Sequence, residues 1–289
     1  MMKNVWKLSN YIFCWMLQKG GKAVIGTSIG LGAITLLTKA FVSTAREIDH
    51  SHFAEAFLPY ESVIDGSLIP FIFIIGFVLL LGIFFVQAKG HFVNGKSIYT
   101  LMTLPMKRSH LYFAFLFAGI AIIMLYFMLW LILIIAAYFP IMTNYAKVAA
   151  QEVFYVSPEQ TITGLDAARE NGLYLAFQRS MFLYTIFPTS LIEAVAMFGA
   201  ILLIMAALLF AGLHYGEPFA AGTIAVSGLI VGLYTITVKL RWSEHLTFFY
   251  GQYARTAVAE SVYVGLVCWI LFALVLWFSI RDLKRKYNI

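Results

Sequence analysis

Six long apolar runs constrain this chain more than any other feature of its sequence. They are Ala23–Val42, Leu68–Ala88, Leu111–Phe139, Thr189–Leu213, Phe219–Leu240 and Ser261–Ile280. A helix needs roughly 20 predominantly apolar residues to cross the hydrocarbon core of a bilayer. Inside hydrocarbon every backbone N–H and C=O must find its partner within the protein, which leaves helices as the natural structure for such runs. Five of the six carry no charged residue outside their last turn, and the fourth carries only Glu193, one turn inside its start. The sequence therefore predicts an all-α integral membrane protein, a bundle of six transmembrane helices. Composition agrees, with only 12% of residues charged, against roughly a quarter in soluble domains. No soluble basic domain remains to bind nucleic acid, so the excess of 20 Lys and Arg over 14 Asp and Glu points to anionic lipid.

The basic residues also orient the bundle. With both termini inside, the short cytoplasmic segments hold Lys3, Lys7, Lys19, Lys22, Lys89, Lys96, Lys107, Arg108, Arg281, Lys284, Arg285 and Lys286. That enrichment follows the positive-inside rule, which reads short loops near span ends. The expected external loops are then 43–67, 140–188 and 241–260, and the expected inner loop between spans two and three is 89–110. Two domains of unequal size follow. Residues 1–22 read as an amphipathic interfacial helix or a cytoplasmic extension of span one, and residues 23–289 as the six-span body. Lys3, Lys7, Asn10 and Gln18 lie close to one face of that first helix, while Trp6, Ile12, Phe13, Trp15 and Met16 cover much of the rest. Gly20 and Gly21 are placed to turn it into span one. In the long external loop, "NGLYLAFQRSMFLYTIF" is too broken by Gln178 and Arg179 for a seventh span. It reads as an interfacial or re-entrant helix, with Tyr174, Phe177, Phe182 and Tyr184 at headgroup level. "TFFYGQYARTAV" before span six reads similarly.

One motif argues for a different protein altogether. "GHFVNGKS", Gly90 to Ser97, satisfies the phosphate-binding pattern of glycine, four residues, then Gly-Lys-Ser. That loop works only between a buried strand and a helix of an α/β domain, where the sheet aims its amides at the phosphates. Here an apolar, membrane-length segment precedes it and no βαβ alternation follows, so the match is accidental. The loop has its own pattern. After Asn94 and Gly95, Ile98, Leu101, Met102 and Pro105 recur at helical spacing, and Lys107 and Arg108 mark the membrane edge. Such a brief amphipathic helix could dock into a groove on a cytoplasmic partner, anchor on the membrane, or simply connect two spans.

The run Gly95, Leu101, Leu104-Pro105, Arg108 resembles the coupling loop of type 2 ABC transporter permeases. The resemblance extends to six spans, inside termini and an interfacial N-terminal helix. It departs from the family pattern in having no acid between Ala88 and Gly95, Lys107 before the arginine, and a long third loop. It implies a permease subunit in the cytoplasmic membrane of a prokaryote, paired with a second permease chain, identical or related. Two separate ATP-binding subunits would carry ATP and Mg, so this chain would not itself be an enzyme and would bind no cofactor. Ile98, Leu101, Met102, Leu104 and Pro105 would fill a groove on the ATP-binding subunit. Lys96, Lys107 and Arg108 would pair with its acids or with lipid headgroups.

What the spans lack narrows the chemistry. Ion-coupled transporters keep ionisable groups deep in the bundle despite a cost of roughly 2.5–3.5 kcal/mol each, and no Asp, Glu, Lys, Arg or His lies near the middle of any span. The cargo expected is hydrophobic or amphipathic, a peptide, drug or lipid, and the family resemblance implies that it is moved outward. The alternative is a six-span channel, sensor or assembly component that uses no ATP. His50 and His52 read as solvated rather than metal-bound, Glu193 as a helix cap or a water-facing group, and Cys14 and Cys268 as unpaired. No metal or catalytic group is expected. Gly26-x-x-x-Gly30 and Gly228-x-x-x-Gly232 allow close helix approach, within the chain or between two chains. The family resemblance implies that span five, with Gly76 and Gly82 of span two, lies along the pathway.

Overall fold

In the computed structural model, residues 2–39, 60–93, 108–149, 153–157, 160–163, 172–188, 190–250 and 257–286 are described. Among them six stretches of helix are long and apolar enough to cross a membrane: Val5–Thr38, Ile69–Phe92, Ser109–Thr143, Leu191–Leu213, Pro218–Leu240 and Val262–Leu283. The all-helical expectation holds with one departure. Val153–Ser157 (β1) and Gln160–Thr163 (β2) pair antiparallel, Val153 opposite Thr163 and Phe154 opposite Ile162.

The first helix, α1 (Met2–Met16), buries Leu8, Ile12 and Met16, a stripe spaced by four, and leaves Lys7, Asn10 and Gln18 outside. Trp6 and Tyr11 are also exposed, aromatic side chains suited to a headgroup layer. A wide π-type turn, Leu17–Gly21, joins it to α2 (Lys22–Thr38). Lys19 leaves helical geometry there, and Gly20 adopts φ 124°, a conformation that costs glycine nothing and an L side chain much. The expected break at Gly20 and Gly21 is thus present.

Five further long or short helices precede the C-terminal half: α3 (Tyr60–Asp65), α4 (Ile69–Val93), α5 (Arg108–Ala149), α6 (Leu173–Arg179) and α7 (Met181–Ile186). Helix α5 does not stop at Phe139, where the apolar run was expected to end. It continues through Pro140, whose missing N–H leaves the Ala136 carbonyl without its helical donor. The Thr143 hydroxyl donates to the Phe139 carbonyl at 2.7 Å within the same turn.

The chain then forms α8 (Leu191–Leu213), α9 (Pro218–Tyr250) and α10 (Ala257–Lys286). Ser190 caps α8, its hydroxyl accepting from the Glu193 N–H at 3.3 Å, in the Ser-x-x-Glu spacing of a capping box. Glu193 is buried in that first turn, so it belongs to a helix start, one of the two roles expected. Helix α8 is apolar on all sides, which predicts a buried helix rather than an amphipathic one. It is buried almost throughout Gly199–Leu213.

Two compact units divide the chain. The first comprises Met1–Val24, Phe77–Tyr126 and Ser190–Ile289, and the second Ile25–Gly76 and Phe127–Thr189. The core of the second gathers around Phe73, whose ring meets Phe127 at 5.2 Å, Phe182 at 5.4 Å and Trp130 at 5.7 Å. Gly32 admits the fully buried Trp130 indole, which a Cβ there would meet at 2.5 Å.

Candidate functional site

Three residues of α1, α4 and α5 make an aromatic collar at one end of the first unit. The Trp15 ring lies 4.7 Å from the His91 imidazole, and His91 lies 5.2 Å from Phe115. Phe92 adds a contact to Phe115 at 5.4 Å. Behind the collar the Tyr112 hydroxyl donates to the Ala206 carbonyl of α8 at 3.4 Å. This arrangement fixes the end of α4 and the start of α5, the two points between which residues 94–107 run, and sets α1 beside both.

The coupling residues predicted within that stretch, Lys96, Ile98, Leu101, Met102, Leu104, Pro105 and Lys107, lie outside the described residues, as do Asn94 and Gly95. Arg108 opens α5. His50 and His52 are likewise outside. The first four residues of the phosphate-loop match are placed, and they are helical: Gly90–Val93 form the last turn of α4. Amides bonded along a helix cannot surround a phosphate. No group of three metal-ligating side chains occurs among the described residues, and Cys14 and Cys268 are unpaired.

Among the described residues, a Cβ added at Gly26, Gly30, Gly228, Gly232 or Gly82 would meet nothing within 4 Å. The close crossings use glycines outside the paired motifs. In the first unit Gly199 lies against the Trp269 indole of α10, Gly265 against Ala196, and Gly119 against Met205 and Phe84. The Trp269 N–H donates to the Val195 carbonyl at 3.0 Å.

Sequence reasoning also missed two polar constructions. At the α8–α9 reversal, the buried His214 has Nδ1 3.1 Å from Glu217 Oε2 and Nε2 3.5 Å from Asp282 Oδ2 of α10. Phe210 and Phe219 flank its ring at 4.6 and 5.1 Å. Beside it the Lys89 ammonium sits 3.4 Å from the centre of the Tyr215 ring. A hydrogen bond from Lys89, and then its charge, hold the Tyr215 phenol below its ordinary pKa. The Glu217 spacing was the only signal, since Asp282 arrives from a helix more than 60 residues away.

In the second unit Asp65 anchors the segment 172–188. Its carboxylate accepts from the Ser180 hydroxyl at 2.7 Å, the Met181 N–H at 2.9 Å and the Phe182 N–H at 3.2 Å. Ser180 in turn caps α7 by accepting from the Leu183 N–H at 3.0 Å. Arg179 lies 3.7 Å from Glu61, which is buried on α3. The expected interfacial helix is thus two short helices broken at Ser180. Tyr174 is exposed, as a headgroup contact requires, but Phe182 and Tyr184 are buried in the core, which corrects their expected placement.

Comparison with known proteins adds no identification: no family model, no curated protein and no solved structure matches this chain.

Proposed function

We propose that this chain is the membrane-spanning subunit of an ATP-driven exporter of the type 2 ABC permease kind, with ATP hydrolysed by a separate subunit. The observation that carries the proposal is the collar of Trp15, His91 and Phe115. It brings an amphipathic helix to the end of one membrane-length helix and the start of the next, the two helices that residues 94–107 connect in sequence; Gly95, Leu101, Leu104-Pro105 and Arg108 resemble a coupling loop. A segment tethered at both ends to rigid helices can pass motion into the bundle, whereas one on a free tail cannot. With both termini cytoplasmic, the short inner segments of the sequence hold Lys19, Lys22, Lys89, Arg281 and Arg285, in line with the positive-inside rule. The small-residue faces of α2 and α9, open among the described residues, supply surface for a second permease chain. Spans without mid-membrane charges suit a hydrophobic or amphipathic cargo and an energy source outside this chain.

The test is a pull-down of the detergent-solubilised protein from its native host, wild type beside Leu101→Asp/Leu104→Asp. The expected result is an ATP-binding subunit retained by wild type and lost by the folded variant. Wild type that brings down no ATPase under mild extraction refutes the proposal and favours a six-span protein driven by something other than ATP.

A further inference from the structure

The end of the first unit that holds the collar also holds a groove. It has a volume of about 440 Å³ and lies between α4, α8 and the start of α9. Phe85, Ala211, Ala220, Ala221 and Ile224 make its apolar walls, and Tyr215, Gly216, Glu217 and Pro218 line its mouth. The groove exists because of local sequence. Gly212 lets α8 approach α4 so closely that a Cβ there would meet Ala88 and the Lys89 backbone at 3.3 Å. The chain then reverses through Gly216 at φ 95°, and alanines rather than larger side chains line the start of α9. Two helices touch while the third stands off.

The walls are apolar and reach from the turn 214–217 about six residues along α9, roughly 9 Å at 1.5 Å per residue. That depth spans the passage from headgroup to hydrocarbon. At the mouth the Lys89 ammonium rests on the Tyr215 ring, and no carboxylate pairs with it among the described residues. The acids nearby, Glu217 and Asp282, both face His214. Arg281 lies 3.7 Å from Asp282 and offsets its charge. Basic pockets between membrane helices recognise anionic lipid headgroups.

We propose that this groove is a binding site for one anionic phospholipid, an acyl chain lying against Phe85, Ala220, Ala221 and Ile224 and the phosphate paired with Lys89. The Tyr215 hydroxyl is placed to donate to the same phosphate. The site depends on the chain lying in a membrane and not on whether it works with an ATPase.

The experiment reconstitutes the full chain in nanodiscs of equal phosphatidylglycerol and phosphatidylcholine, re-extracts it in mild detergent, and counts retained lipid by native mass spectrometry. Wild type should keep phosphatidylglycerol in preference to phosphatidylcholine. Lys89→Gln should lower that preference roughly fivefold, the effect of one surface cation. Ala221→Trp, which fills the groove without changing charge, should abolish retention of the bound lipid, its circular dichroism and monodispersity showing that it is folded. A wild type with no preference overturns the proposal. So does a Lys89→Gln loss with Ala221→Trp unaffected, which would reduce the effect to general surface attraction. If Ala221→Trp fails to fold, Ala221→Leu with Ile224→Phe gives the same readout.

Discussion

Replacing Gly199 by alanine should loosen the contact between α8 and α10 by an amount the geometry sets. The new Cβ would stand 2.6 Å from Cδ1 and Nε1 of Trp269, where carbon contacts are comfortable only at roughly 3.5–4.0 Å. The indole must therefore move by about 1 Å. It cannot do so freely, because its N–H donates to the Val195 carbonyl at 3.0 Å and its ring meets Phe198 and Phe272. Overpacking of this kind costs about 1–3 kcal/mol, and a weakened interhelical hydrogen bond in a membrane adds about 0.6 kcal/mol. Alanine regains roughly 0.5–1 kcal/mol of helix preference over glycine, so the net loss should be about 1–3 kcal/mol. Gly228→Ala is the matched control in the isolated monomer: among the described residues its Cβ meets nothing within 4 Å, and its effect there should be neutral or mildly stabilising. Unfolding by sodium dodecyl sulfate in mixed micelles, followed by circular dichroism, measures both. A double variant, Gly199→Ala/Trp269→Leu, should recover most of the packing loss, since the clashing ring is gone. The reasoning fails if Gly199→Ala is no less stable than Gly228→Ala.

Asp65→Asn should cost about 1–2 kcal/mol, because the buried Ser180 hydroxyl and two α7 amides lose a charged acceptor; faster hydrogen exchange at 181–183 is the readout. Tyr60 donates to the Ile134 carbonyl at 2.6 Å, and burial, then Tyr138, pushes its phenol above the ordinary range. Stability from that phenol is complete below the unfolded pKa of about 10 and declines as pH rises beyond it. Tyr60→Phe should flatten the decline and cost about 1 kcal/mol at neutral pH, checked by stability against pH beside wild type. Arg179→Gln should destabilise the second unit, because the carboxylate of Glu61, buried on α3, loses the guanidinium 3.7 Å away. A shift in the thermal midpoint of that variant, reduced when Glu61→Gln is added, is the expected outcome.

The membrane-length helices were legible because a run of twenty apolar residues needs no partner to announce itself. So was the break at Gly20, where the local backbone alone demands glycine, and the start of α8 at Ser190, where the capping residues are three apart. What stayed hidden depends on residues distant in sequence. The helix 173–186 breaks at Ser180 because Asp65 waits there, and no periodicity within the segment carries that information. The close crossings at Gly199, Gly265 and Gly119 stayed hidden for a related reason. A crossing needs one small residue opposite something that fills the space, as Gly199 faces Trp269, and the partner cannot be read from a spacing of four. At the candidate coupling site the sequence alone supplies the residues 94–107, and the structure supplies the frame at their two ends.

The two units also differ in when they can be completed during synthesis. Everything the second unit requires lies before residue 190, so it can close while the last three helices are still unmade. The first unit takes residues from both ends of the chain, and α10, which carries Trp269 and Gly265, comes last. Until then α8 must reside in lipid with its glycine and alanine surfaces bare. A chain interrupted before residue 257 would therefore present a finished second unit beside an open first one, and membrane quality control has in that uncovered helix a definite feature to recognise.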